Sequence, residues 1–131
     1  MLERARKKAK KRSIGNIVFE HADICNLSYA DDSFDIVIAS QVLHLLDEPK
    51  RAADETMRVA RGKIILPLCI VQDASGFAKA QIGLWKLLGF SPKHSFDRQS
   101  YLAFLKNLGF WIDDWIVIES NMPMIIAICS K

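Results

Sequence analysis

IVFEHADICNLSYADDSFDIVIASQVLHLL, residues 17–46, is the stretch whose reading decides the fold. Residues 17–21 are short and β-rich, Asp23 stands in an acidic turn directly after them, and NLSYADDS reads as a loop. Residues 34–40, FDIVIAS, then form a nearly continuous apolar run. Such a run is expected of a strand covered on both faces. The order is strand, acidic turn, loop, strand. In an open α/β sheet, ligands lie outside the carboxyl ends of the strands, so Asp23 and the Ser40–Gln41 pair occupy the positions where polar groups meet a ligand.

Reading outward, the alternation continues. Residues 2–12 form a helix with Leu2, Ala5 and Ala9 as a narrow apolar stripe, stopped near Ser13 and Gly15. Downstream, Asp47, Glu48 and Pro49 open a helix, since an acid can cap free amides and proline is tolerated in the first turn. That helix stops at Gly62, and residues 63–71 follow as a buried strand. Helices are predicted over 76–88 and about 97–108, ended by Gly89 and Gly109. Residues 111–119 and 124–129 are strands joined by a short turn at 120–123, a hairpin. The fold class is therefore α/β: a Rossmann-like, mostly parallel sheet of about five strands with helices on both faces and an antiparallel C-terminal hairpin. With 131 residues, half of them hydrophobic, residues 1–131 are read as one domain with an ordinary core.

Composition narrows the function classes. The longest apolar run, residues 64–71, contains Pro67 and is far short of the roughly 20 residues that span a bilayer. No membrane span and a cytoplasmic location are expected. Cys25, Cys69 and Cys129 are odd in number and widely separated, a pattern of buried apolar side chains in a reducing compartment. His21, His44, His94 and the cysteines show no ligand spacing, so no metal is expected. Residues 1–12 carry seven bases against one acid, a local +6 that leaves −3 on the remaining 119 residues. That asymmetry describes one cationic helix rather than a basic surface, and a solvated helix face is the expectation.

The segment HADICNLSYADDSFD, extended through FDIVIASQVLHLL, resembles the middle of a class I S-adenosylmethionine-dependent methyltransferase, of the small-molecule or quinone-biosynthesis type. An antiparallel last strand is a hallmark of the same family. The resemblance implies S-adenosylmethionine as cofactor. It implies that Asp23 accepts a hydrogen bond from the adenine amino group, that the backbone amide of Ile24 meets the ring, and that Ser40 and Gln41 lie beside the methionine part and the transferred methyl. His44 is the candidate base near the acceptor, and residues 72–96 are the region that covers it. The family's glycine-rich loop lies upstream of this segment, and the six glycines here, at 15, 62, 76, 83, 89 and 109, form no G-x-G pattern. The resemblance thus describes an N-terminally truncated methyltransferase fold, with two central strands without counterpart. Either strands 17–21 and 34–40 pair directly in a contracted sheet, or a second chain completes the sheet as a homodimer or by strand exchange.

Three functions follow. The first is methyl transfer to a small-molecule acceptor. The second is a non-catalytic methyltransferase-like module that assembles with a partner chain. The third, nucleic-acid binding through the basic helix at 1–12, is the least expected.

Overall fold

The computed structural model describes residues 2–70, 76 and 96–131. The order is α1 (Leu2–Lys11), β1 (Phe34–Ile38), a 3-10 turn at Leu43–Leu45, α2 (Pro49–Val59), β2 (Ala60–Cys69), α3 (Arg98–Asn107), β3 (Trp111–Ile118) and β4 (Met124–Ser130). The strands form one sheet in the order β1-β2-β4-β3. The α/β class and the closing antiparallel hairpin are as expected. Two details differ. Among the described residues the sheet has four strands rather than about five, and only β1–β2 is parallel, while β2–β4 and β3–β4 are antiparallel.

The missing strand is residues 17–21, which form no strand and make no ladder pair among the described residues. Ile17 is 49% and Val18 79% exposed. β-rich composition describes what fits a pleated, half-buried surface; without a ladder partner it does not make a strand. Direct pairing of 17–21 with β1 is thereby ruled out. Among the described residues β1 stands instead at the sheet edge with β2 as its one neighbour, so the run expected to be covered on both faces is largely exposed there.

α2 begins at Pro49 without a side-chain cap from Glu48, so the fixed φ of proline rather than an acidic cap sets its start. It passes directly into β2 at Ala60, which moves Gly62 out of the predicted helix end and into the strand. The reason is spatial: a Cβ on Gly62 would lie 2.4 Å from the backbone oxygen of Asp35, where β1 and β2 come together. α3 carries a capping box, with Ser100 N donating to Asp97 Oδ1 at 2.7 Å and Asp97 N donating to Ser100 Oγ at 3.0 Å. Gly109 follows it at φ 96, the left-handed conformation that closes a helix and favours glycine.

Alternation along β2 and β4 creates the core. Ile64, Leu66 and Leu68 pair with Cys129, Ala127 and Ile125, and all six are buried beneath Ala52 and Ala53 of α2 and Tyr101 and Leu105 of α3. The opposite face carries Ile36, Ile38, Ile116 and Ile118, each at least half exposed. Each forgoes about 1 kcal/mol of burial. Among the described residues, then, α2 and α3 cover one face, where helices on both had been expected.

Gly62→Ala is expected to cost about 2 kcal/mol, because the β1–β2 ladder must open to admit the methyl group. Gly15→Ala, where no atom lies within 4 Å, should stay within about 0.5 kcal/mol of the parent. Equilibrium urea unfolding of the two variants checks the contrast.

Candidate active site

Asp23 sits in a tight turn of its own making. Cys25 N donates to Asp23 Oδ1 at 2.9 Å, and Asn26 N donates to the Asp23 carbonyl at 3.0 Å. Ile24 and Cys25 pack against the core from this turn. One carboxylate oxygen thus organises the local backbone. The other takes no partner among the described residues and is exposed. Beside it lies an open cleft of about 570 Å³, lined by Arg6, Phe19, His21, Asp23, Asn26 and Tyr29 among others. Arg6 of α1 donates to the Phe19 carbonyl at 2.8 Å and so ties the helix to one wall. Tyr29 bonds Glu20, and this acceptor raises the phenol's pKa above its ordinary value.

Ser40 and Gln41 follow β1 at its carboxyl end. Ala39 N and Gln41 N donate to the carbonyls of Ile65 and Pro67, both at 3.1 Å, so the parallel ladder runs past the strand itself. Gln41 has φ 57, an uncommon conformation for a residue with a side chain. It is held there by Cys69: Gln41 Nε2 lies 3.0 Å from Cys69 Sγ, and Cys69 N donates to Gln41 Oε1 at 3.3 Å. Both ends of the amide are engaged, and the exposed hydroxyl of Ser40 takes no partner among the described residues. His44 is half-buried in the 3-10 turn and lines a narrow crevice with Gln41, Pro67 and Tyr101. Tyr101 donates to the Leu66 carbonyl at 3.1 Å, and burial pushes its pKa up. Asp23 therefore lines one opening and Gln41 with His44 another. The expected acceptor cover at 72–96 lies outside the described residues except for Gly76 and Phe96.

The strongest polar cluster is one that the sequence reading passed over. Arg58 on α2 donates through Nε and Nη2 to both oxygens of Glu55, at 2.8 and 2.9 Å. It also reaches the carbonyls of Leu27 and Tyr29 at 2.9 and 2.7 Å, and Asp31 Oδ1 at 2.8 Å. Glu55 Oε2 in turn accepts from Leu27 N at 2.8 Å. The Arg58 guanidinium and the Leu27 amide hold the Glu55 carboxyl down at about 2, and Glu55 and Asp31 raise the pKa of Arg58. The available signal was an acid and a base three apart on α2, next to a loop rich in unpaired backbone.

Comparison with known proteins fits this arrangement. A family described as "Methyltransferase domain" matches residues 1–66, half of the chain. The chain belongs to the class I S-adenosylmethionine-dependent methyltransferases. It is 41% identical over 68 residues to the ubiquinone/menaquinone biosynthesis C-methyltransferase UbiE of Bdellovibrio bacteriovorus, covering 50% of this chain and 28% of that protein. Among solved structures it is similar to the [4+2]-cyclase SpnF, with TM-score 0.73 and 18% identity over 99% of this chain and 62% of that one. A SAM dependent methyltransferase from Aquifex aeolicus gives TM-score 0.71 and 15% identity over 98% and 62%. At these identities the structural likeness is one of fold. The chain spans under a third of the UbiE relative and under two thirds of the solved chains. S-adenosylmethionine is the cofactor of this family. No group of three or more His, Cys, Asp or Glu suited to a metal occurs among the described residues. No helix there is long and apolar enough to cross a membrane.

The depressed Glu55 pKa sets an acid limit. Its folded value of about 2 lies below the ordinary 4.5, so its contribution to stability is complete above 4.5 and is lost as pH falls toward 2. Glu55→Gln should therefore destabilise the protein at pH 7 and lose less than the parent between those values. Melting temperatures across pH 2–7 measure it.

Proposed function

We propose that this domain performs methyl transfer to a small-molecule acceptor, with the Asp23 turn receiving the adenosyl end of the cofactor. The observation that carries the reading is the exposed Asp23 carboxylate at the wall of an open cleft, with one oxygen fixed in its own turn and the other without a partner among the described residues. A carboxylate so held discriminates adenine by accepting from its exocyclic amine, a donor that other rings lack at that place. The Ile24 amide belongs to the same turn and meets the ring, while Ser40 and Gln41 serve the methionine end from the carboxyl end of β1.

Bound S-adenosylmethionine would supply a methyl group activated by positive sulfur, with Asp23 and Ile24 holding its adenosyl end and Ser40 and Gln41 its methionine end. The protein's own contribution is to hold donor and acceptor in line and to limit water. His44, half-buried by the end of β1, is the candidate to take the acceptor's proton. The match to a quinone-biosynthesis C-methyltransferase favours an aromatic, quinone-like acceptor.

Calorimetric titration with S-adenosylhomocysteine should show saturable, one-to-one binding. Asp23→Asn, which swaps one acceptor for a donor facing the adenine amine, should weaken it about tenfold. Absence of heat from the parent chain would remove the reading.

The bare edge of β1 and the half-exposed isoleucines behind it favour a second reading, a methyltransferase-like module that assembles with a partner chain, including a second copy. Sedimentation should then show masses above 14.8 kDa that rise with concentration. A constant 14.8 kDa species would count against self-assembly.

A further inference from the structure

We infer that Glu55 and Arg58 are positioning residues for the cofactor turn: from α2 they fix the 27–32 loop by its backbone and so hold Asp23 at the wall of its cleft. The inference rests on the adenosyl reading of Asp23 given above. Four backbone groups on three residues of the loop are anchored to this one helix. Leu27 is held at both ends, its N–H by Glu55 at 2.8 Å and its carbonyl by Arg58 at 2.9 Å. The Tyr29 carbonyl is held by Arg58 at 2.7 Å, and Asp32 N donates to the Arg58 carbonyl at 2.9 Å.

The spacing of these anchors links them to the cleft. Ser28 and Tyr29, which line it, lie between the anchors at 27 and 31, and Leu27 directly follows Asn26, whose amide closes the turn on Asp23. The remaining ties of the loop among the described residues are surface ones: the Tyr29–Glu20 bond, the Lys131–Asp32 ion pair and an edge-on contact of Tyr29 with Phe34 at 4.9 Å between ring centres. The network is shielded where it matters, the side chains of Arg58 and Glu55 being 29% and 20% exposed. Its geometry also demands arginine. Two carbonyls and two carboxylates converge on one planar fork, which a lysine ammonium, a single point charge, cannot satisfy together. A loop fixed before the ligand arrives spares the ordering cost of binding, so the clamp acts on affinity without touching the ligand.

The test compares the parent chain, Arg58→Lys and Arg58→Ala by S-adenosylhomocysteine titration, at a temperature where melting curves show each folded. Arg58→Ala should weaken binding about tenfold. Arg58→Lys, which keeps the ion pair with Glu55, should recover much of the melting temperature while binding stays about fivefold weak. A purely structural role predicts that affinity and melting temperature recover together, and that outcome overturns the inference. So does binding by Arg58→Ala within about twofold of the parent. If Arg58→Ala does not fold, Arg58→Lys alone decides by the same split. Loss of affinity in Asp23→Asn with none in either Arg58 variant would keep the adenosyl reading and reject the clamp. A parent chain that binds nothing would reject both.

Discussion

Six consecutive residue pairs between β2 and β4, from Ile64 with Cys129 to Cys69 with Met124, are the constraint on which the rest of the molecule depends. Because side chains alternate across a strand, this register puts Ile64, Leu66 and Leu68 with Ile125, Ala127 and Cys129 on a single face. α2 and α3 have somewhere to bury Ala52, Ala53, Tyr101 and Leu105 only because that face exists. A slip of one residue would turn the same side chains outward. The end of β1 follows from the same pairing, since among the described residues β1 pairs with β2 alone, and the ladder carries on through Ala39 and Gln41 to the end of the sheet.

From that frame the candidate site is assembled by two kinds of tether. One is backbone continuity: Ser40 and Gln41 are where they are because β1 ends there, and Gln41 keeps its left-handed conformation because Cys69 holds both ends of its amide. The other is the Glu55–Arg58 pair, which reaches from α2 across to the loop after Asp23. Neither residue 23 nor the loop around it belongs to the sheet. The turn is located by Ile24 and Cys25 against the core and by the α2 clamp, not by a strand leading into it.

The sequence was legible where a local rule operates. The helix read at about 97–108 and ended by Gly109, and the strands read at 111–119 and 124–129 as the closing hairpin, are each within a residue or two of what is found. It misled where composition was asked to stand for pairing. Residues 17–21 and 34–40 are both β-rich, yet among the described residues only the second has a ladder neighbour. Gly62 looked like a helix stop because glycine often is one; its actual reason is the Asp35 oxygen pressing on the place a Cβ would fill. Glu55 and Arg58 went unread because nothing within α2 shows that Leu27 and Tyr29 lie opposite.

What the sequence by itself determined is therefore most of the elements, the family and the residue types available near the end of β1, since these depend on side-chain periodicity, helix ends and a local motif read within about thirty residues. Tertiary structure alone decided which strands pair, that β1 is an edge, and that an ion pair on a helix secures a loop some 28 residues before it in the chain. The physical reason is that hydrogen-bond partners of backbone groups in loops and at sheet edges are chosen by proximity in space, and no spacing along the chain encodes that choice.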